Sequence, residues 1–105
     1  MPVFNEPLEF EWDAGNRNKN KTLHGVSNEE AEESFFDPGK KVLRDASHSS
    51  DEERYLVIGK TKRERLLFVV FTMRDNKIRI ISARDLNKRE RYLYEEKPKS
   101  SKIQE

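Results

Sequence analysis

A chain of 105 residues can bury one modest core, and with 39% charged against 33% hydrophobic residues that core must come from a few concentrated segments. Cysteine is absent, which excludes disulfides and thiolate metal sites and fits a reducing cytoplasm. The net charge of +1 hides a division: residues 1–53 carry 6 Lys/Arg and 13 Asp/Glu, residues 54–94 carry 12 and 4, and residues 95–105 carry three of each. A basic second half beside an acidic front half points either to a local polyanion-binding face or to two halves that neutralise each other. The first ten residues carry acidic side chains and no apolar leader core, so no signal peptide is expected. The longest apolar run, residues 66–73, is far short of the ~20 residues a membrane helix needs.

In chain order, Phe10-Glu11-Trp12 alternates and then meets Asp13, which predicts a short edge strand followed by a helix N-cap. A polar helix over 14–24 would stop at Gly25. Ser27 and Glu30 have capping-box spacing, and Val26 with Ala31 fits a hydrophobic staple. The helix they open places Ala31 and Phe35 on one stripe and ends at Asp37-Pro38-Gly39. Residues 41–44 read as a short strand, followed by a polar loop containing His48.

Residues 54–84 hold most of the strongly β-prone side chains. Three apolar runs, at 55–58, 66–73 and 78–83, are separated by breaks too short for anything but antiparallel neighbours, which predicts a β-meander. The middle run, Leu66-Leu67-Phe68-Val69-Val70-Phe71, is apolar at both parities and therefore needs cover on both faces. Strict alternation in the third run would put Arg79, Ile81 and Ala83 on one face and Ile78, Ile80, Ser82 and Arg84 on the other. The period then lengthens, and a helix over 85–96 is expected, with Asp85 as its cap or as the partner of Ser82. The fold class predicted is α+β: a small antiparallel sheet, a three-strand meander plus short N-terminal strands, packed with two N-terminal helices and one C-terminal helix. It forms a single domain over 1–96 with a disordered tail over 97–105.

Metal and cofactor chemistry find no support in these residues. His24 and His48 lack ligand spacing, and the four glycines form no phosphate-cradling loop. The stronger constellation is cationic: Arg54, Arg74, Lys77, Arg79 and Arg84 bracket the strands, and Arg89 and Arg91 follow on the last helix. Arginine grips phosphate with a rigid fork and keeps its charge. Cleavage of RNA without a metal needs a base at the 2′-hydroxyl, an acid at the leaving 5′ oxygen and cations at the phosphoryl oxygens. His48 is a candidate base or acid, Glu52 and Glu90 are candidate bases, and Tyr92 and Tyr94 are candidate proton donors or stacking surfaces. Against this, His48 also reads as a loop histidine and Glu90 as the partner of a sheet arginine.

Several short stretches together resemble the BrnT toxin family: Phe10-Glu11-Trp12-Asp13, Asn20, His24-Gly25-Val26-Ser27, Glu29-Glu30-Ala31 and Phe36-Asp37-Pro38. His48-Ser49, Glu52-Glu53-Arg54-Tyr55, Ile58-Gly59, the run Ile78-Arg79-Ile80-Ile81-Ser82-Ala83-Arg84, then Arg89-Glu90-Arg91 and Tyr94-Glu95 continue the likeness. Asn16, Leu23 and Asn28 depart from the family pattern. The resemblance implies a RelE-like ribonuclease toxin of a type II toxin–antitoxin pair that cleaves RNA and arrests growth. It implies a BrnA-like antitoxin partner with a ribbon-helix-helix part, through which operator DNA would be reached. Carried onto this chain, it implies functional roles for His48, Arg54, Arg79, Arg84 and Arg91, without dividing proton transfer from phosphate binding among them. Combined with the cationic constellation, the expectation is a catalytic set of His48, Arg79, Arg84, Glu90 and Arg91, and RNA contacts from Arg54, Arg74, Lys77, Arg89 and Tyr94. No cofactor and no membrane are implied. The competing expectation is a basic-faced module that docks an antitoxin or nucleic acid without cutting it.

Overall fold

The computed structural model describes residues 4, 6–12, 18–45 and 53–95. Within them the order is β1 (Phe10–Glu11), α1 (Lys19–His24), α2 (Asn28–Glu33), a 3-10 turn (Ser34–Phe36), β2 (Lys41–Arg44), β3 (Tyr55–Lys60), β4 (Leu66–Arg74), β5 (Lys77–Asp85), a second 3-10 turn (Lys88–Glu90) and α3 (Arg91–Glu95).

The meander is present as β3-β4-β5, but it is the centre of a larger sheet of order β1-β5-β4-β3-β2. The expected all-antiparallel sheet is corrected to a mixed one, because β1 runs parallel to β5, with Phe10 opposite Ile78 and Glu11 opposite Arg79. Between β1 and β5 the chain forms the helical segments and the strands β2, β3 and β4, so this parallel pair joins segments far apart in sequence. The β4–β5 hairpin closes on Asp75 and Asn76, both at positive φ (50° and 66°), as a tight two-residue hairpin turn demands.

One face of the sheet carries the main core. Val57, Leu67, Val69, Phe71, Ile78, Ile80 and Ala83 point there and meet Val26, Ala31 and Phe35 from the helical layer. Phe35 and Phe71 pack edge to face, centroids 5.0 Å apart. Gly59 lies on this face too. A Cβ there would sit 2.3 Å from the Ser34 carbonyl oxygen, so the 3-10 turn can lie on β3 only because the residue has no side chain.

The local signals around α2 act as expected. Ser27 Oγ accepts from the Glu30 N–H, Glu30 reaches back to the Ser27 N–H, and Val26 and Ala31 are both buried. Gly25 ends α1 at φ 69°. That helix begins at Lys19, and the expected cap at Asp13 lies outside the described residues, as does the tail 97–105.

The expected helix over 85–96 is corrected. β5 runs on to Asp85, which pairs with Leu67, and the helical segment starts only at Lys88. Its capping box is Asn87 with Glu90, not Ser82 with Asp85, because Asp85 is drawn to Arg65 instead: Arg65 Nε donates to Asp85 Oδ1 at 2.6 Å. α3 packs on the far side of β3, where Ile58 is fully buried yet stands apart from the main core. The two-sided apolar character of the central strand is answered on one face only: the helical layer buries Leu67, Val69 and Phe71, while Leu66, Phe68 and Val70 on the other face stay half-buried and α3 packs on the neighbouring β3.

Candidate nucleic-acid interface

The second face of the sheet is set by a single irregularity. Val70 pairs with Ser82 while Phe71 pairs with Ile80, so Ile81 is an extra residue with no partner in β4. Such a bulge reverses the parity of everything beyond it. The alternation expected from sequence is therefore corrected: Ile78, Ile80 and Ala83 share the core face, and Arg79, Ser82 and Arg84 share the other. β4 contributes Leu66, Phe68, Val70, Thr72 and Arg74 to that second face, and β3 contributes Leu56, Ile58 and Lys60. Arg54, one residue before β3, continues the same parity, and Lys77 pairs with Arg74. Five of the cationic residues singled out by sequence, Arg54, Arg74, Lys77, Arg79 and Arg84, thus belong to one face.

They are arranged in rows across the strands. Thr72 is opposite Arg79, and extension of the Tyr55–Phe71 pairing by one residue brings Arg54 alongside. Thr72 Oγ donates to the Glu53 carbonyl at 2.9 Å, which ties this row to the start of β3. The next row is Leu56, Val70 and Ser82, all half-buried, and after it come Ile58, Phe68 and Arg84. Four strand residues, about 13 Å, separate the Arg79 row from the Arg84 row. The result is a partly apolar stretch of sheet with arginine at both ends.

Arg84 is held on three sides. Its guanidinium lies 4.0 Å from the Phe68 ring centroid. Nη1 donates to Glu90 Oε1 at 2.9 Å and to the Asp85 carbonyl at 3.0 Å, and Nη2 donates to Glu90 Oε2 at 2.7 Å. Glu90 also accepts from the Asn87 N–H at 3.1 Å, while its own N–H is taken by Asn87 Oδ1 at 2.9 Å. The Arg84 hydrogen bonds outweigh burial and, with the Asn87 N–H and the Arg84 charge, hold the Glu90 carboxyl below its ordinary range. Glu90 in turn raises the Arg84 pKa. A carboxylate kept ionised in this way is a weak base, since its proton affinity lies far from neutrality.

The other named residues divide. Arg74 and Arg79 each have interactions within the chain. Arg91 faces Glu95 one helical turn on, at 3.5 Å, both side chains being more than half exposed. Arg89 and Lys77 are exposed. Tyr94 is tied to structure: its hydroxyl donates to Asp37 Oδ2 at 2.7 Å, and burial, with that hydrogen bond and the Asp37 charge, pushes its pKa up to about 12. The ammonium groups of Lys41 and Lys60 lie 6.0 and 5.8 Å from its ring centroid. His48 and Glu52 lie outside the described residues. The segment they belong to joins Asp45 to Glu53, and the Asp45 N–H donates to the Arg54 carbonyl at 2.9 Å, so both of its ends meet the Arg54–Thr72–Arg79 row.

Two residues that tie the sheet to the helical segments escape sequence reasoning. Arg65 joins three elements, donating to Asp85, to Glu30 Oε1 at 3.1 Å and to the Gly25 carbonyl at 2.9 Å. Nothing local distinguishes it from Arg63. Asp37 accepts from Tyr94, from the Lys60 N–H at 2.8 Å and from the Gly39 N–H at 2.9 Å, so it links the 3-10 turn, β3 and α3. Burial works against its charge, but those three donors prevail and keep its carboxyl below the usual value. Its place in a Phe-Asp-Pro-Gly turn was visible, its partners were not. Among the described residues no helix is long and apolar enough to cross a membrane.

No curated protein matches the chain. A family model described as the ribonuclease toxin, BrnT, of type II toxin–antitoxin systems matches residues 12–90, which include every described row of the arginine-bearing face. The chain belongs to the BrnT family of ribonuclease toxins, proteins that act opposite an antitoxin.

Proposed function

We propose that the protein is a metal-independent endoribonuclease whose substrate lies across the second face of the sheet. The observation that carries this reading is the bulge at Ile81, which brings Arg79 and Arg84 to one surface with Arg54, Arg74 and Lys77. A single strand of RNA laid across the floor of Leu56, Val70 and Ser82 meets arginine at either end. In the reaction the 2′ oxygen bonds to phosphorus as its proton leaves to a base. The bond from phosphorus to the 5′ oxygen breaks, and that oxygen takes up a proton. Arg79, Arg84 and Arg91 stabilise the charge on the phosphoryl oxygens, and Arg54, Arg74, Lys77 and Arg89 hold the flanking backbone. His48 carries the proton, because its ordinary pKa lies near neutrality and both ends of its segment reach the Arg79 row. The consequence in a cell is growth arrest in the cytoplasm, relieved by a BrnA-like antitoxin that covers this face and links the pair to operator DNA.

One observation favours a second reading, a binding module that does not cut: Arg84 already has a carboxylate partner in Glu90. The two are separated by incubating purified protein with RNA in EDTA and analysing the product ends. Fragments ending in 2′,3′-cyclic phosphate with free 5′-hydroxyls are expected. RNA left intact by well-folded protein would favour the binding module.

A further inference from the structure

The bidentate pair between Arg84 and Glu90 looks at first like a cancelled charge, but the atoms used show otherwise. A guanidinium offers five N–H groups, in two parallel forks and one outlying donor. Glu90 takes the end fork, one N–H from each of Nη1 and Nη2, and the Asp85 carbonyl takes the outlying N–H of Nη1. What remains is the side fork: Nε–H and the second N–H of Nη2, parallel and adjacent. None of the hydrogen bonds Arg84 makes among the described residues uses it. The plane of the group is fixed by Phe68 beneath it, and its rotation is fixed by Glu90. Glu90 is itself anchored by its capping box with Asn87.

From this geometry we infer that Glu90 is a positioning residue, which holds Arg84 so that its Nε/Nη2 fork receives two oxygens of one phosphodiester, with Asn87 and Phe68 completing the mount. The inference rests on the proposed nucleic-acid face and assigns Glu90 a role other than moving the proton. An arginine mounted in this way loses little side-chain freedom when phosphate arrives, whereas an arginine free to rotate must be ordered at that moment. The carboxylate lies on the far edge of the guanidinium, so it orients the cation without occupying the fork.

Simple charge arithmetic makes the opposite forecast. If Glu90 only neutralised Arg84, removing its charge would strengthen the grip on RNA. Glu90→Gln separates the two, because glutamine can still close the capping box with Asn87 while losing the carboxylate.

The test joins a spectroscopic signal to kinetics on the full chain. The NMR resonance of the Arg84 Nε–H is followed while a short single-stranded RNA with 2′-O-methyl riboses, which cannot be cleaved, is added. In the unaltered protein the resonance is expected to be sharp and to shift on binding. In Glu90→Gln it is expected to broaden and to respond weakly, with kcat lower by about ten- to hundredfold. The shape of the pH profile should stay unchanged, and Arg84→Ala/Glu90→Gln should be no worse than Arg84→Ala alone. The inference is overturned by an Nε–H that ignores the oligonucleotide, by cleavage in Glu90→Gln equal to or above that of the unaltered protein, or by loss of one limb of the pH profile, which would make Glu90 the proton carrier. A protein that shows the Nε–H shift but never cleaves RNA would retain the mount and refute the nuclease reading.

Discussion

Arg79 and Arg84 are five positions apart, an odd separation that puts residues on opposite faces of a regular strand, yet the unpaired Ile81 between them returns both to the same face. One inserted residue thus decides whether the basic side chains of β5 face the helical core or solvent. Because Ile78 and Ile80 already occupy the core face, the bulge is also what lets Ala83 join them and keeps Arg84 from being buried beside them.

The seating of the 3-10 turn on β3 should make Gly59→Ala destabilising. The new methyl would meet the Ser34 carbonyl, a backbone atom that cannot swing aside, so a loss of about 1–3 kcal/mol is expected. Urea denaturation measures it. A variant as stable as the parent would mean that the turn does not lie on β3 this closely.

Arg65 should behave as a joint rather than as a surface charge. Its side chain is 28% exposed and bonds α1, α2 and β5 together. Arg65→Lys loses the fork that serves Asp85 and Glu30 at once, and a loss of about 1–3 kcal/mol is expected. Arg65→Ala combined with Asp85→Ala should be strongly non-additive in a double-mutant cycle. Independent, additive losses would refute the joint.

Acid should unfold the protein through a small set of carboxyls. Hydrogen bonds from Arg65 lower the Asp85 pKa and hydrogen bonds from Arg84 lower that of Glu90, while Glu30 and Asp37 are lowered by their donors in spite of burial. Folded values below unfolded ones mean that the stability these groups add is present above the unfolded pKa of about 4 and disappears as pH falls through the folded values. For Tyr94 the sign is reversed. Its folded pKa is raised to about 12, so its contribution is full below the unfolded value of about 10 and is lost as pH climbs through 12. Ultraviolet titration of phenolate should therefore show one transition near 12 that Tyr94→Phe removes. A Tyr94 that ionises with an ordinary tyrosine midpoint would deny its bond to Asp37.

How much of this was legible beforehand depended on the distance over which each cause acts. The Ser27/Glu30 box, the stop at Gly25 and the meander are matters of a few neighbouring residues, and the structure shows all three. The end of β5 was misplaced because Asp85 answers to Arg65, twenty positions away, and not to the helix that follows it. The box at Asn87 and Glu90 has the same spacing as the one at Ser27 and Glu30, but Asp85 is an equally good cap residue standing two positions earlier, and local sequence does not choose between them. The bulge left no mark in Ile-Arg-Ile-Ile-Ser-Ala-Arg, since it follows from which side chains fit under the helical layer. The residue types of the basic face were therefore readable, and their common side was not.

If His48 carries the proton, His48→Ala should lower RNA cleavage by about 10²–10⁴-fold and flatten the limb of the pH profile near neutrality. Binding of a non-cleavable RNA should change little. An unchanged pH profile in that variant would move the proton transfer to another group.

The most direct measurement is RNA cleavage by an Arg79→Ala/Arg84→Ala double variant, shown to be folded by its unfolding curve, in parallel with growth after induction. The expected result is loss of both cleavage and growth arrest in a stably folded protein. Cleavage and arrest at the level of the unaltered chain would contradict the central claim that the arginines gathered by the Ile81 bulge form the site.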